Sequence, residues 1–149
     1  RLISSAASDV YKRQLKIENL KVVHSAKLPY ADDGFYATET EKRSMNIITS
    51  KEAKKEQIHS LVKVHPETQK KGLFINPVYT SHIQGFNEEE SFLLLSKLYE
   101  HMTQEKYIYR HKWKENMLLM WDNRTVMHMA EGGYDGYDRL LHRITIANS

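Results

Sequence analysis

"SLVKVHPETQKKGLFIN", residues 60–76, holds two apolar runs, 61–64 and 72–76, joined by the polar turn "HPETQK" that Pro66 introduces. Short apolar runs with turn chemistry between them predict a β-hairpin. Further strands are expected on either side. "KVVHSA" (21–26) reads as a strand entered from a helix end, with apolar positions at Leu15, Ile17, Leu20, Val22 and Val23. "YIYRHKW" (107–113) alternates Tyr107, Tyr109, His111 and Trp113 with polar partners, the pattern of a half-buried strand. "MLLMWDN" (117–123) is a continuous apolar run, expected as a buried strand, and "RLLHRITIA" (139–147) is expected as the last strand. Between hairpin and strands lies "NEEESFLLLSKLYEHMTQ" (87–104), the strongest helix signal. Asn87 is a fit N-cap, Glu90 sits at the capping-box position, and Leu94, Leu95, Leu98 and Met102 follow helical spacing. Several strands with one good helix predict a mainly β chain with helical decoration, a sandwich or a barrel.

Residues 27–57 are polar, with Pro29, Asp32, Asp33 and Gly34 as turn formers. They read as a long surface excursion with a short charged helix near residues 51–58. Such an excursion serves either as a pocket roof or as a solvated linker.

A chain of 149 residues can bury one core. The absence of Cys excludes disulfides, thiolate metal sites and a cysteine nucleophile, and it fits a reducing, cytoplasmic setting. No run of about 18 apolar residues is present, so no membrane span is expected. The net charge of +3 is too small to argue for a nucleic-acid partner. Much of it belongs to the first 14 residues, where Arg1, Lys12 and Arg13 outnumber Asp9 by two. "DVYKRQ" at the end of that stretch resembles the translation of a transposon-end sequencing adapter. Residues 1–14 are therefore expected to be an artefact or a disordered tail, and residues 15–149 the C-terminal part of a single domain.

If residues 139–147 form a strand, Arg139, Leu141, Arg143 and Thr145 share one face. Two guanidiniums turned inward would be costly without an anion to meet them, and a guanidinium fork suits a carboxylate. A pocket for a small organic acid would supply that anion; a water-facing arginine face is the other reading. His128, after the turn-like "DNRT", is by itself either a packing residue or one corner of a site.

The joint pattern is more informative. "WDNRTVMH" followed by "RLLHR", together with "HPETQKKGLFIN" and "ESFLLLSKLYEHMT", resembles the taurine / 2,4-dichlorophenoxyacetate dioxygenase family, the Fe(II)- and 2-oxoglutarate-dependent oxygenases. The likeness runs from about His24 to Ala147. It implies a double-stranded β-helix, or jelly roll, here partial and lacking its N-terminal strands. It implies that His128 is the distal iron ligand, that Arg139 pairs with the far carboxylate of 2-oxoglutarate, and that Arg143 and Tyr79 contact the substrate. The cofactors implied are Fe(II), the cosubstrate 2-oxoglutarate and O₂. The activity implied is oxidative decarboxylation of 2-oxoglutarate coupled to hydroxylation of a small anionic organic substrate. Neither nucleic acid nor membrane is expected as a partner, and self-association is left open.

A facial triad needs two histidines and one carboxylate. The family draws the other two ligands from an upstream His-x-Asp or His-x-Glu. Only His65-x-Glu67 fits those letters here, and it reads as a solvent-facing hairpin turn. The missing pair is expected upstream, so this stretch alone should bind iron poorly and turn over little. The alternative from a different class is a non-catalytic small-molecule-binding β-barrel. A nucleic-acid module using "KEAKKEQ" and "YIYRHKW" is disfavoured by the near-neutral charge left without residues 1–14.

Overall fold

The computed structural model describes residues 17–39, 47–131, 136, 138 and 140–146. The adapter-like stretch 1–14 and Arg139 lie outside the described residues.

The centre is a three-stranded antiparallel sheet in the order β2-β1-β5, formed by β1 (Lys21–Ser25), β2 (Glu56–Ser60) and β5 (Thr80–Ile83). β1 is the middle strand and is buried on both faces at Val22 and Val23. Its β-branched residues suit a pleated, enclosed position. Val22 pairs with His59 on one side and Ile83 on the other, and the register with β5 shifts between Val23 and His24. That bulge brings His24 beside Thr80, whose hydroxyl lies 3.0 Å from the His24 Nε2.

The expected hairpin forms as β3 (Val62–Val64) and β4 (Lys71–Leu73), with Val62 opposite Leu73 and Val64 opposite Lys71. Gln69 takes a left-handed φ of 56° to close the turn, and its side chain donates to the Pro66 carbonyl. The chain then passes Ile75 into the core.

The expected helix is also present, as Glu88–Met102. Asn87 Oδ1 accepts from the Glu90 backbone N–H at 2.8 Å, and Glu90 Oε2 accepts from the Asn87 N–H at 3.1 Å. Both halves of the capping box are therefore made. One face of the helix brings Leu95 onto Val22, Leu61, Ile75 and Ile83, with Leu94, Leu98, Tyr99 and Met102 packed around them. Burying each such aliphatic side chain contributes about 1.5–3 kcal/mol. Ser91 sits inside the same contact, where its hydroxyl accepts from the Ile83 N–H. The sheet and the helix are thus joined by apolar packing and by one buried polar contact.

The excursion after β1 is more structured than its composition suggests. It contains α1 (Lys27–Tyr30), α2 (Phe35–Thr38) and a 3₁₀ turn at Lys51–Lys54; the helix at Glu88–Met102 is α3. Lys54 bridges Asp32 at 2.8 Å and Asp33 at 2.9 Å, and the Ser25 hydroxyl donates to the Ala53 carbonyl. The expected charged helix at residues 51–58 is corrected: only the 3₁₀ turn is helical, and residues 56–60 are β2. Backbone pairing with β1 overrides a weak helical preference in a short polar segment.

A second correction concerns the far end. "YIYRHKW", "MLLMWDN" and the described part of "RLLHRITIA" contain no strand, and their apolar side chains are largely exposed, with Leu118 at 87% and Ile144 at 89%. A 3₁₀ turn at Glu105–Tyr107 opens the first of them. Alternation supplies a face, but a strand also needs a hydrogen-bonded neighbour. None of the described strands pairs with a described residue between 108 and 146. Asn116, with φ of 59°, further breaks the extended run between the first two segments. Among the described residues, no helix is long and apolar enough to cross a membrane.

Candidate functional site

The two motif-bearing turns meet. His65, at the hairpin turn, is buried rather than solvent-facing, which corrects the expectation for "HPET". Its Nε2 lies 3.0 Å from Asp122 Oδ2 in "WDNRT". Its Nδ1 accepts the backbone N–H groups of Glu67 and Thr68, each at 3.2 Å. Arg124 grips Asp122 through Nε and Nη2, the latter at 2.6 Å, and its other contacts reach Glu67 at 3.1 and 3.2 Å. The Arg124 guanidinium and the His65 imidazole together hold the Asp122 carboxyl well below the usual carboxylate range. This quartet is the site feature that sequence reasoning missed. Each motif was visible, but nothing in either stretch announces a pairing across 57 residues.

His128 follows from this anchored turn. The carbonyl of Asp122 accepts the N–H groups of Thr125 and Val126, which curls the chain. The His128 ring then lies 4.8 Å from the Trp121 ring. Trp121 is itself steadied by an Nε1–H bond to Asn123 Oδ1 at 2.9 Å. His128 is exposed, as is Arg143.

Tyr79 belongs to an aromatic group. Its ring stacks on Tyr30 at 6.5 Å, and Tyr30 meets Tyr36 at 5.4 Å. Burial raises the Tyr79 pKa, the hydrogen bond to Tyr30 and the charges of Tyr30 and Tyr36 raise it further, and the positive charge of Arg143 opposes them. Tyr79 and Arg143 are therefore within electrostatic reach of each other. Tyr30 and Tyr36 come from α1 and α2, so the excursion supplies two of the three rings. Of the other sequence-predicted residues, Arg139 lies outside the described set.

Among the described residues, no group of three or more His, Asp or Glu side chains could hold a metal ion. His128 belongs to no such group, so the described donor set does not by itself fit iron, and no metal-dependent step is derived from it.

Comparison with known proteins identifies the lineage. Residues 5–145 match the taurine catabolism dioxygenase TauD, TfdA family. The chain is 44% identical over 85 residues to the alpha-ketoglutarate-dependent 2,4-dichlorophenoxyacetate dioxygenase of Cupriavidus pinatubonensis (strain JMP 134 / LMG 1197), covering 57% of this chain and 29% of that protein. It is 34% identical over 131 residues to the alkylsulfatase of Acinetobacter baylyi (strain ATCC 33305 / BD413 / ADP1), covering 87% of this chain and 40% of that protein. Among solved structures, AAD-2 in complex with Mn(II) and N-oxalylglycine superposes with a TM-score of 0.52 at 30% identity, over 69% of this chain and 37% of that chain. The chain thus spans well under half the length of these relatives. With the match running over nearly all of its residues, the chain belongs to the TauD/TfdA dioxygenase family.

Proposed function

We propose that this chain is the C-terminal part of an Fe(II)- and 2-oxoglutarate-dependent dioxygenase, a partial jelly roll whose remaining strands and two further iron ligands come from upstream sequence. The whole protein couples oxidative decarboxylation of 2-oxoglutarate to hydroxylation of a small anionic organic substrate. In this reading His128 supplies one iron ligand and Arg139 pairs with the far carboxylate of 2-oxoglutarate. Arg143 takes the anionic group of the substrate, and Tyr79 walls the pocket.

The observation that supports the substrate class is that the positive charge of Arg143 acts on the phenol of Tyr79, which stacks on Tyr30. A guanidinium whose charge reaches an aromatic group suits an anion with an apolar body. That chemistry agrees with relatives named for phenoxy acids and alkyl sulfates. The exposed apolar side chains among the described residues between 108 and 146 also fit a sheet awaiting its neighbours.

Arg139→Ala in the upstream-extended protein tests the assignment. The apparent KM for 2-oxoglutarate should rise by roughly tenfold or more, since a charge-assisted pair is lost. An unchanged KM would remove Arg139 from this role. Cosubstrate binding without any turnover would instead favour the non-catalytic binding barrel.

A further inference from the structure

We infer that His65 and Asp122 are positioning residues: a His65 imidazole carrying its proton on Nε2 ties the hairpin turn to the turn that leads into His128.

The tautomer follows from the partners. Nδ1 faces two backbone donors, the N–H groups of Glu67 and Thr68, each at 3.2 Å. It must be the acceptor, because a proton there would oppose both. Nε2 is left as the donor, and Asp122 Oδ2 receives it at 3.0 Å. Asp122 Oδ1 is occupied by the backbone N–H and the Nε–H of Arg124, each at 2.9 Å. Arg124 closes the circuit on Glu67, two residues from His65. Both ring nitrogens of His65 are therefore committed. The imidazole has no free nitrogen with which to take a proton from a substrate, so it is not a general base, although a histidine–aspartate pair invites that reading.

The tie bears on His128 through the backbone. Asp122 is both the residue gripped and the residue whose carbonyl starts the curl at Thr125 and Val126. Its neighbour Trp121 is the ring against which His128 rests. Freeing the Asp122 carboxylate would release the start of that curl and the Trp121 platform together. This consequence for catalysis rests on the reading of His128 proposed above; the tie itself does not.

Two measurements on the chain test it. Nitrogen-15 NMR of the His65 ring should show a protonated Nε2 and an acceptor Nδ1. Amide exchange in Asp122→Ala should quicken at Glu67 and Thr68 by about tenfold, the loss of one charge-assisted hydrogen bond, while Val22 and Val23 in β1 keep their protection. His65→Phe should reciprocally quicken Thr125 and Val126, and Asp122→Asn, which keeps an acceptor for Nε2, should fall between wild type and Asp122→Ala. A proton on Nδ1 would overturn the inference. So would unmoved amides at Glu67 and Thr68, or loosening spread evenly into β1. If a variant fails to fold, the wild-type tautomer still decides. The proposed role of His128 fails separately: full succinate release by an upstream-extended His128→Ala protein would sink that role and leave the exchange result standing.

Discussion

The rings of Tyr30 and Tyr79 lie 6.5 Å apart and within 18° of parallel. One comes from α1 in the excursion, the other from the segment before β5. The stack therefore closes the excursion onto the sheet, and its position depends on how tightly the excursion folds.

Gly34 sets that tightness. A Cβ there would approach the carbonyl oxygens of Lys27 and Leu28 to 2.7 and 2.8 Å, both backbone atoms that cannot step aside. Gly34→Ala should destabilise the protein by about 1–3 kcal/mol through overpacking. Thermal unfolding would register the loss, and near-ultraviolet circular dichroism would register the displaced tyrosines. A wild-type melting temperature would show that the excursion bears no such constraint.

Arg143 should be felt at Tyr79. Burial is the largest influence raising the pKa of that phenol, and Arg143 opposes it. Arg143→Gln should therefore move Tyr79 ionisation to higher pH, readable by carbon-13 tyrosine NMR. The same change in the upstream-extended enzyme should weaken an anionic substrate by roughly tenfold, with a smaller effect on a neutral analogue.

Acid should loosen the joint between the main sheet and the hairpin. The His24 pKa is lowered by burial, then by His59 and Lys63; the His59 pKa is lowered by burial, then by Lys63. His24 and His59 pack edge to face at 5.0 Å against Phe74, over which Lys63 sits. Depressed histidines bind fewer protons folded than unfolded. Their contribution is fully present above an unfolded pKa of about 6.5 and is lost as pH falls through the folded values. Stability should drop below about pH 6.5, and His59→Phe should flatten that slope. A slope identical in both proteins would exclude this cluster as its cause.

The start of α3 should show the worth of its cap. Asn87→Ala removes the acceptor for the Glu90 N–H and should cost about 1 kcal/mol in urea unfolding. Asn87→Asp, which keeps the acceptor and adds charge at the helix N-terminus, should cost little.

What the sequence revealed and what it concealed divide along physical lines. β1, the β3–β4 hairpin and α3 were legible because each has a local cause: a β-branched apolar run, a Pro-led turn, a capping box on an amphipathic face. β2 was not, since "EQIHS" is polar and takes its conformation from pairing with β1. β5 was hidden in "TSHI", where two polar residues precede one histidine and one isoleucine. Residues 108–146 show the converse: the pattern of strands is present without a partner among the described residues. In the site, His128 and Arg143 stood out through motif resemblance. The burial of His65 did not, because it depends on a carboxylate 57 residues away.

The central claim is tested most directly by succinate release. The upstream-extended protein should convert 2-oxoglutarate to succinate only when Fe(II) and O₂ are both supplied, with turnover stimulated by a phenoxy-acid or alkyl-sulfate substrate. Absence of succinate from a folded, iron-loaded protein across such substrates would contradict the account.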